Sequence, residues 1–64
     1  MLETYRHMAS LSLNKLARAA DLDRATVSSA ERGHEVTDLT VSKLCHALTK
    51  ALNKPISPKH IMSN

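Results

Sequence analysis

The sequence predicts an all-α domain, and three observations carry that prediction. Apolar residues recur at spacings of three and four, first at Leu13, Leu16, Ala17 and Ala20, then at Leu44, Cys45, Leu48 and Leu52, which places each set on one helical face. Tyr5 is the only aromatic ring apart from histidine, whereas a β-sandwich or barrel would show aromatic and β-branched alternation. Ser12, Asp23 and Thr37 each stand just before a helical pattern, where their side chains suit an N-cap.

The 64 residues make one domain, 1–64. A chain of this length buries only about 60% of its unfolded surface, so it needs disulfides, metal, a partner or close helix packing. Cys45 is the single cysteine, which excludes an internal disulfide and fits a reducing compartment. His7, His34, His46 and His60 share no metal-ligand spacing with one another or with Cys45. No metal and no cofactor is expected. One glycine cannot build a phosphate-cradling loop. No signal peptide and no apolar run near the ~18 residues of a membrane span is present, so a cytoplasmic location is expected. The formal charge of +3 is a weak pointer to an anionic partner.

In chain order, the first helix is predicted over Leu2 to Ala9, with Leu2, Tyr5, Arg6 and Ala9 on one side. Ser10-Leu11-Ser12 interrupts it; Ser12 caps a second helix running from Leu13 to Ala20, with Leu11 as a hydrophobic staple against Leu16. Asp21 must reverse the chain and is expected to be left-handed, a conformation aspartate tolerates better than most residues. Asp23 caps a third helix, Arg24 to Arg32, and Gly33 ends it. Two caps around a three-residue break define a helix-turn-helix rather than one long helix. Thr37 caps the fourth helix, Asp38 favours its first turn, and Val36 staples onto Val41. Asn53-Lys54-Pro55 stops that helix. Ser57 caps a last turn with Pro58 in its first position and Ile61 facing inward. Cys45, Met8, Met62 and Leu52 read as packing residues, in the core or at an interface.

On the third helix Val27 and Ala30 continue the apolar face, while Arg24, Ala25, Ser28 and Ser29 take the opposite one. That second face is short, polar and free of large apolar groups, as a surface for contact outside the core would be.

These residues carry a resemblance. Leu16-Ala17, the turn at Asp21, Val27, Ala30 and then Glu31-Arg32-Gly33 resemble the Cro/cI-type helix-turn-helix (XRE) family of phage and bacterial regulators. Leu11-Ser12 before the motif, and Leu44 to Leu48 and Ile56 to Ile61 after it, extend the resemblance over essentially the whole chain. It implies a lambda-repressor-like bundle of five short helices whose third helix enters the major groove of double-stranded DNA, where each base pair shows a distinct donor/acceptor pattern. By position, Arg24, Ala25, Ser28 and Ser29 would face bases, Arg24 with the reach for guanine O6 and N7. Ser12, Lys15, Arg18, Thr26, Arg32, His34 and Lys43 would lie near phosphates. Arg6 would pair with Glu31 as a structural ion pair. Leu13 stands where the family often has a phosphate-binding glutamine, and Asp21 where glycine is commoner.

The resulting expectation is a sequence-specific transcriptional regulator, a repressor that occupies an operator. It would bind as a homodimer through the C-terminal region, Asn53 to Pro55, Ile56, Ile61 and Met62, unless these residues instead close the core. Two other readings stand beside it. One is the antitoxin half of a toxin–antitoxin pair, which would need a toxin-binding tail not visible before Asn64. The other is a protein-interaction module that kept the fold without DNA binding, for which Leu13 and the low net charge leave room. No small-molecule substrate is evident, and enzyme activity is not expected: Ser28 with His34 has no supporting catalytic context.

Overall fold

The computed structural model describes residues 2–61. Five helices follow one another: α1 (Leu2–Met8), α2 (Leu13–Ala20), α3 (Arg24–Glu31), α4 (Asp38–Leu52) and α5 (Pro58–Ile61). α2 packs against α3 and α4, α5 closes against α1 and α4, and α1 also touches α3 and α4. α4, a helix of 15 residues, thus supports α1, α2 and α5, while α3 rests on α2 and α1.

One apolar cluster holds this arrangement together. Leu2, Leu16, Val27, Leu44 and Leu48 are fully buried, one or two from each of α1 to α4. Burying each of these side chains contributes about 1.5–3 kcal/mol. Ala17, Ala20, Ala30 and Ala47 fill the places where helices approach closely, and Cys45, Ile56 and Ile61 complete the cluster. Ala47 lies on the apolar stripe of α4 that the larger residues mark out.

Three successive helix ends share one solution to the problem of unpaired carbonyls. After α1, Ser10 has φ 58° and its N–H donates to His7 O, while Leu11 N–H donates to Arg6 O. After α2, Asp21 has φ 58°, with Asp21 N–H donating to Arg18 O and Leu22 N–H to Ala17 O. After α3, Gly33 has φ 82°, with its N–H donating to Ala30 O and His34 N–H to Ser29 O. Each pair of bonds is a Schellman motif around one left-handed residue. α4 also ends on a left-handed residue, Asn53. Only one of the four turning positions is glycine, so three carry the αL cost of a side chain.

The helix starts divide. Ser12 Oγ accepts from Lys15 N–H, and Thr37 Oγ1 from Thr40 N–H, both at 3.1 Å. Asp23 stands at the N-cap of α3 with extended backbone, yet its side chain makes no capping bond. At α5 the expected cap runs the other way. The Ser57 N–H donates to His60 Nδ1 at 2.9 Å, and Ser57 Oγ lies 3.2 Å from the same nitrogen. Histidine reaching back from the third helical position does the work glutamate or glutamine does in a capping box.

For two sets of apolar residues the structure selects between the alternatives. Met8 is 51% exposed and lies outside the core, because the face of α1 that turns inward is the one carrying Leu2, Tyr5 and Ala9. Ile56 and Ile61, which could form a dimer surface or close the core, are 7% and 3% exposed and close the core. The Ile56 N–H is held there by Thr49 Oγ1 at 3.1 Å. Met62 lies outside the described residues.

Candidate nucleic-acid interface

α3 is held by one face and presents the other. Val27 and Ala30 are buried at 0% and 4% exposure, while Arg24 and Ala25 are exposed and Ser28 and Ser29 half-buried. The outer face thus carries one long side chain at its start and small ones after it. Arg24 has reach; Ser28 and Ser29 act only at close range, because a hydroxyl extends little beyond the helix backbone.

The orientation of α3 is fixed from several directions. Its C-terminal end is tied to α1 by Arg6, whose Nε donates to Glu31 Oε2 and whose Nη2 donates to Glu31 Oε1 at 3.3 Å. The remaining guanidinium nitrogen, Nη1, donates to the Leu11 carbonyl at 3.0 Å. Both side chains are only 11% exposed. A planar fork meeting both carboxylate oxygens is the geometry in which arginine binds most strongly. The hydrogen bond to Glu31 holds the Arg6 guanidinium above its ordinary range, against the opposing effect of burial. One arginine therefore joins α1, the α1–α2 turn and α3.

The other basic residues spread around this helix. Lys15 and Arg18 on α2, Arg32 at the end of α3 and His34 in the following loop are exposed. Arg18 and Thr26 meet in a shallow hollow between α2 and α3, lined also by Ala17, Asp21, Leu22 and Asp23. Two carboxylates at that rim offset part of the basic charge. Ser12 already uses its oxygen to accept from Lys15 N–H; its hydroxyl proton, and the first-turn amides that any helix start leaves over, remain as donors for an anion. Leu13 is half-buried and packs against the core, which accounts for an apolar residue at that position.

Lys43 differs from the rest. Its Nζ lies 3.4 Å from the Asp21 carbonyl oxygen and 3.7 Å from Asp21 Oδ2. The 22-residue separation of this pair gives no sequence signal. The Arg6 bond to the Leu11 carbonyl and the His60 cap of the Ser57 N–H are equally invisible to residue patterns, since a backbone partner carries no residue identity. Cys45 sits on α4 within the core, and burial pushes its thiol up, away from the thiolate that nucleophilic chemistry requires. Among the described residues no group of histidine, cysteine, aspartate or glutamate could hold a metal ion, and no helix is long and apolar enough to cross a membrane.

No curated protein and no solved structure matches the chain. A family model described as helix-turn-helix does, over residues 2–57, a span from the start of α1 to the residue before α5. That family consists of DNA-binding transcription regulators rather than enzymes. With α2, turn and α3 in place and the flanking helices in order, the chain belongs to the Cro/cI-type helix-turn-helix family.

Proposed function

We propose that the chain, as a single domain over residues 1–64, is a sequence-specific transcriptional regulator that inserts α3 into the major groove of an operator. The observation that carries this reading is the division of α3: one face locked in the core through Val27 and Ala30, the other open with Arg24, Ala25, Ser28 and Ser29. Arg24 is the base reader, bidentate to guanine, and Ser28 and Ser29 contact bases directly or through water. Lys15, Arg18, Arg32 and His34, with Ser12 and Thr26, set the register by binding phosphates. With such short side chains behind Arg24, the width and deformability of the duplex supply part of the specificity.

One recognition helix reads only a few base pairs, so two copies act on a palindrome about one turn apart. Asn53, Lys54 and Pro55, all exposed, are the part of the expected dimer surface that the core leaves available. Occupying the operator in the cytoplasm would block polymerase, which makes the regulator a repressor. Binding-site selection from random duplexes, followed by gel shift, tests the reading. Arg24→Ala is expected to cost about 1–3 kcal/mol of binding and to relax preference at one position per half-site. Arg18→Ala is expected to weaken all sequences alike and to lower the salt slope by about one unit. If selection yields no enriched sequence, or Arg24→Ala binds as wild type does, the groove-reading role is lost and a protein-interaction module takes its place.

A further inference from the structure

We propose that Lys43 is a positioning residue for the helix-turn-helix, acting through the Asp21 turn rather than on DNA. Asp21 carries the change of direction between α2 and α3, and it does so at φ 58° and ψ 49° with an L side chain. Such a residue has competing conformers that a glycine-free αL position does not exclude by itself. Lys43 reaches from α4, which packs on α2, and its ammonium lies 3.4 Å from the carbonyl that this conformer of Asp21 presents. Rotating the Asp21 backbone out of the left-handed region moves that carbonyl away and loses the contact. The contact therefore favours one crossing of α3 over others.

Two further features agree. The ammonium sits beyond the C-terminus of α2, where a cation is favoured by the helix dipole. Asp21 Oδ2 lies 3.7 Å from Nζ and is nearly fully exposed, so the pair presents close to zero net charge outward. A phosphate approaching Lys43 would meet that carboxylate. Lys15, Arg18, Arg32 and His34 show no such partner among the described ion pairs, and they are the exposed ones.

This inference rests on the groove-reading proposed above, and the test separates the two. Wild type, Lys43→Met and Lys43→Arg are titrated with the selected duplex across a range of salt, and the exchange rate of the Leu22 amide is measured in the free proteins. That amide donates to Ala17 O at 2.8 Å and reports directly on the turn. Lys43→Met is expected to bind about fivefold more weakly at an unchanged salt slope, the size of a partly exposed ion pair. Its Leu22 amide exchanges faster, and Lys43→Arg, which keeps a donor in reach of the carbonyl, restores both. A slope lower by about one unit with Leu22 exchange unchanged makes Lys43 a phosphate contact and overturns the proposal. Unchanged affinity in Lys43→Met overturns it as well. A wild type that enriches no duplex, while Lys43→Met still speeds Leu22 exchange, overturns the groove-reading and reduces the contact to a structural one.

Discussion

Removing Arg6 is the perturbation with the largest expected effect. Its guanidinium makes two hydrogen bonds to Glu31 and one to the Leu11 carbonyl, and both charged side chains are 11% exposed. Arg6→Ala leaves a nearly buried carboxylate without its cation and a backbone carbonyl without its donor. Breaking one side of such a pair costs about 3–5 kcal/mol. A domain of 64 residues has roughly 3–10 kcal/mol in total, so the variant is at the edge of folding. Each kcal/mol corresponds to roughly 4–8 °C in a domain this small, and the melting temperature should fall by at least about 12 °C. The pair is then removed as a whole in Arg6→Met/Glu31→Leu. Swapping a buried pair for apolar residues of similar size is often neutral or stabilising, so the double variant should recover most of the loss. A shortfall of about 1 kcal/mol is expected to remain for the Leu11 carbonyl. Urea denaturation of wild type, Arg6→Ala and Arg6→Met/Glu31→Leu measures each quantity. The contribution is present throughout the neutral range: the arginine is held above its ordinary value, so its stabilisation is complete below that value and lost only as pH rises beyond it. An Arg6→Ala melting temperature equal to wild type, or a double variant no better than the single, would refute the reasoning.

Gly33→Ala should cost about 1 kcal/mol, because the position has φ 82° while no atom lies within 4 Å of an added Cβ; a urea midpoint at the wild-type value would show that the end of α3 tolerates a side chain. The raised thiol of Cys45 gives a pH test whose sign is fixed: its protonated form is favoured in the fold, so stability is complete below the unfolded value of about 8.5 and declines as pH rises above it. Denaturation between pH 7 and pH 10 should show that decline in wild type and less of it in Cys45→Ala. His60→Ala should speed exchange of the Ser57 amide and lower stability by about 0.5–1.5 kcal/mol, since it removes the acceptor for that N–H; an unchanged Ser57 amide would count against the reversed cap.

The helix pattern is legible where a start or stop has a local cause. Ser12 and Thr37 cap through their own neighbours, three residues on. Asp21 and Gly33 turn the chain through their own torsions. The buried faces of α2, α3 and α4 follow from period alone. What period could not supply was the choice among apolar residues once the face was full. Met8, which suits a core or an interface, lies outside the core, while Ile56 and Ile61, which could serve a partner or close the core, are enclosed. Lys43 marks the same boundary on the polar side. A lysine on α4 has one composition whether it meets a phosphate or a carbonyl 22 residues away, and the contact with Asp21 needs the packing of α4 on α2 to be seen.

The two long-range polar contacts have a common logic. α3 is only eight residues long and its own N-cap makes no side-chain bond, so within the helix-turn-helix it is held by its apolar face on α2 and by no polar side-chain contact at its start. Arg6 from α1 holds its last residue, and Lys43 from α4 holds the turn before its first. Neither anchor comes from the motif itself, which is why the flanking helices matter beyond completing a core. Under the groove-reading, this division has a consequence for specificity. A long side chain can follow a base edge through a small rotation of the helix, but serine cannot. A face built from Arg24, Ala25, Ser28 and Ser29 depends on the angle at which α3 is delivered more than on the reach of its residues. Lys43→Met should therefore change discrimination between related duplexes as well as weaken binding to the selected one, whereas loss of a phosphate contact weakens all of them alike.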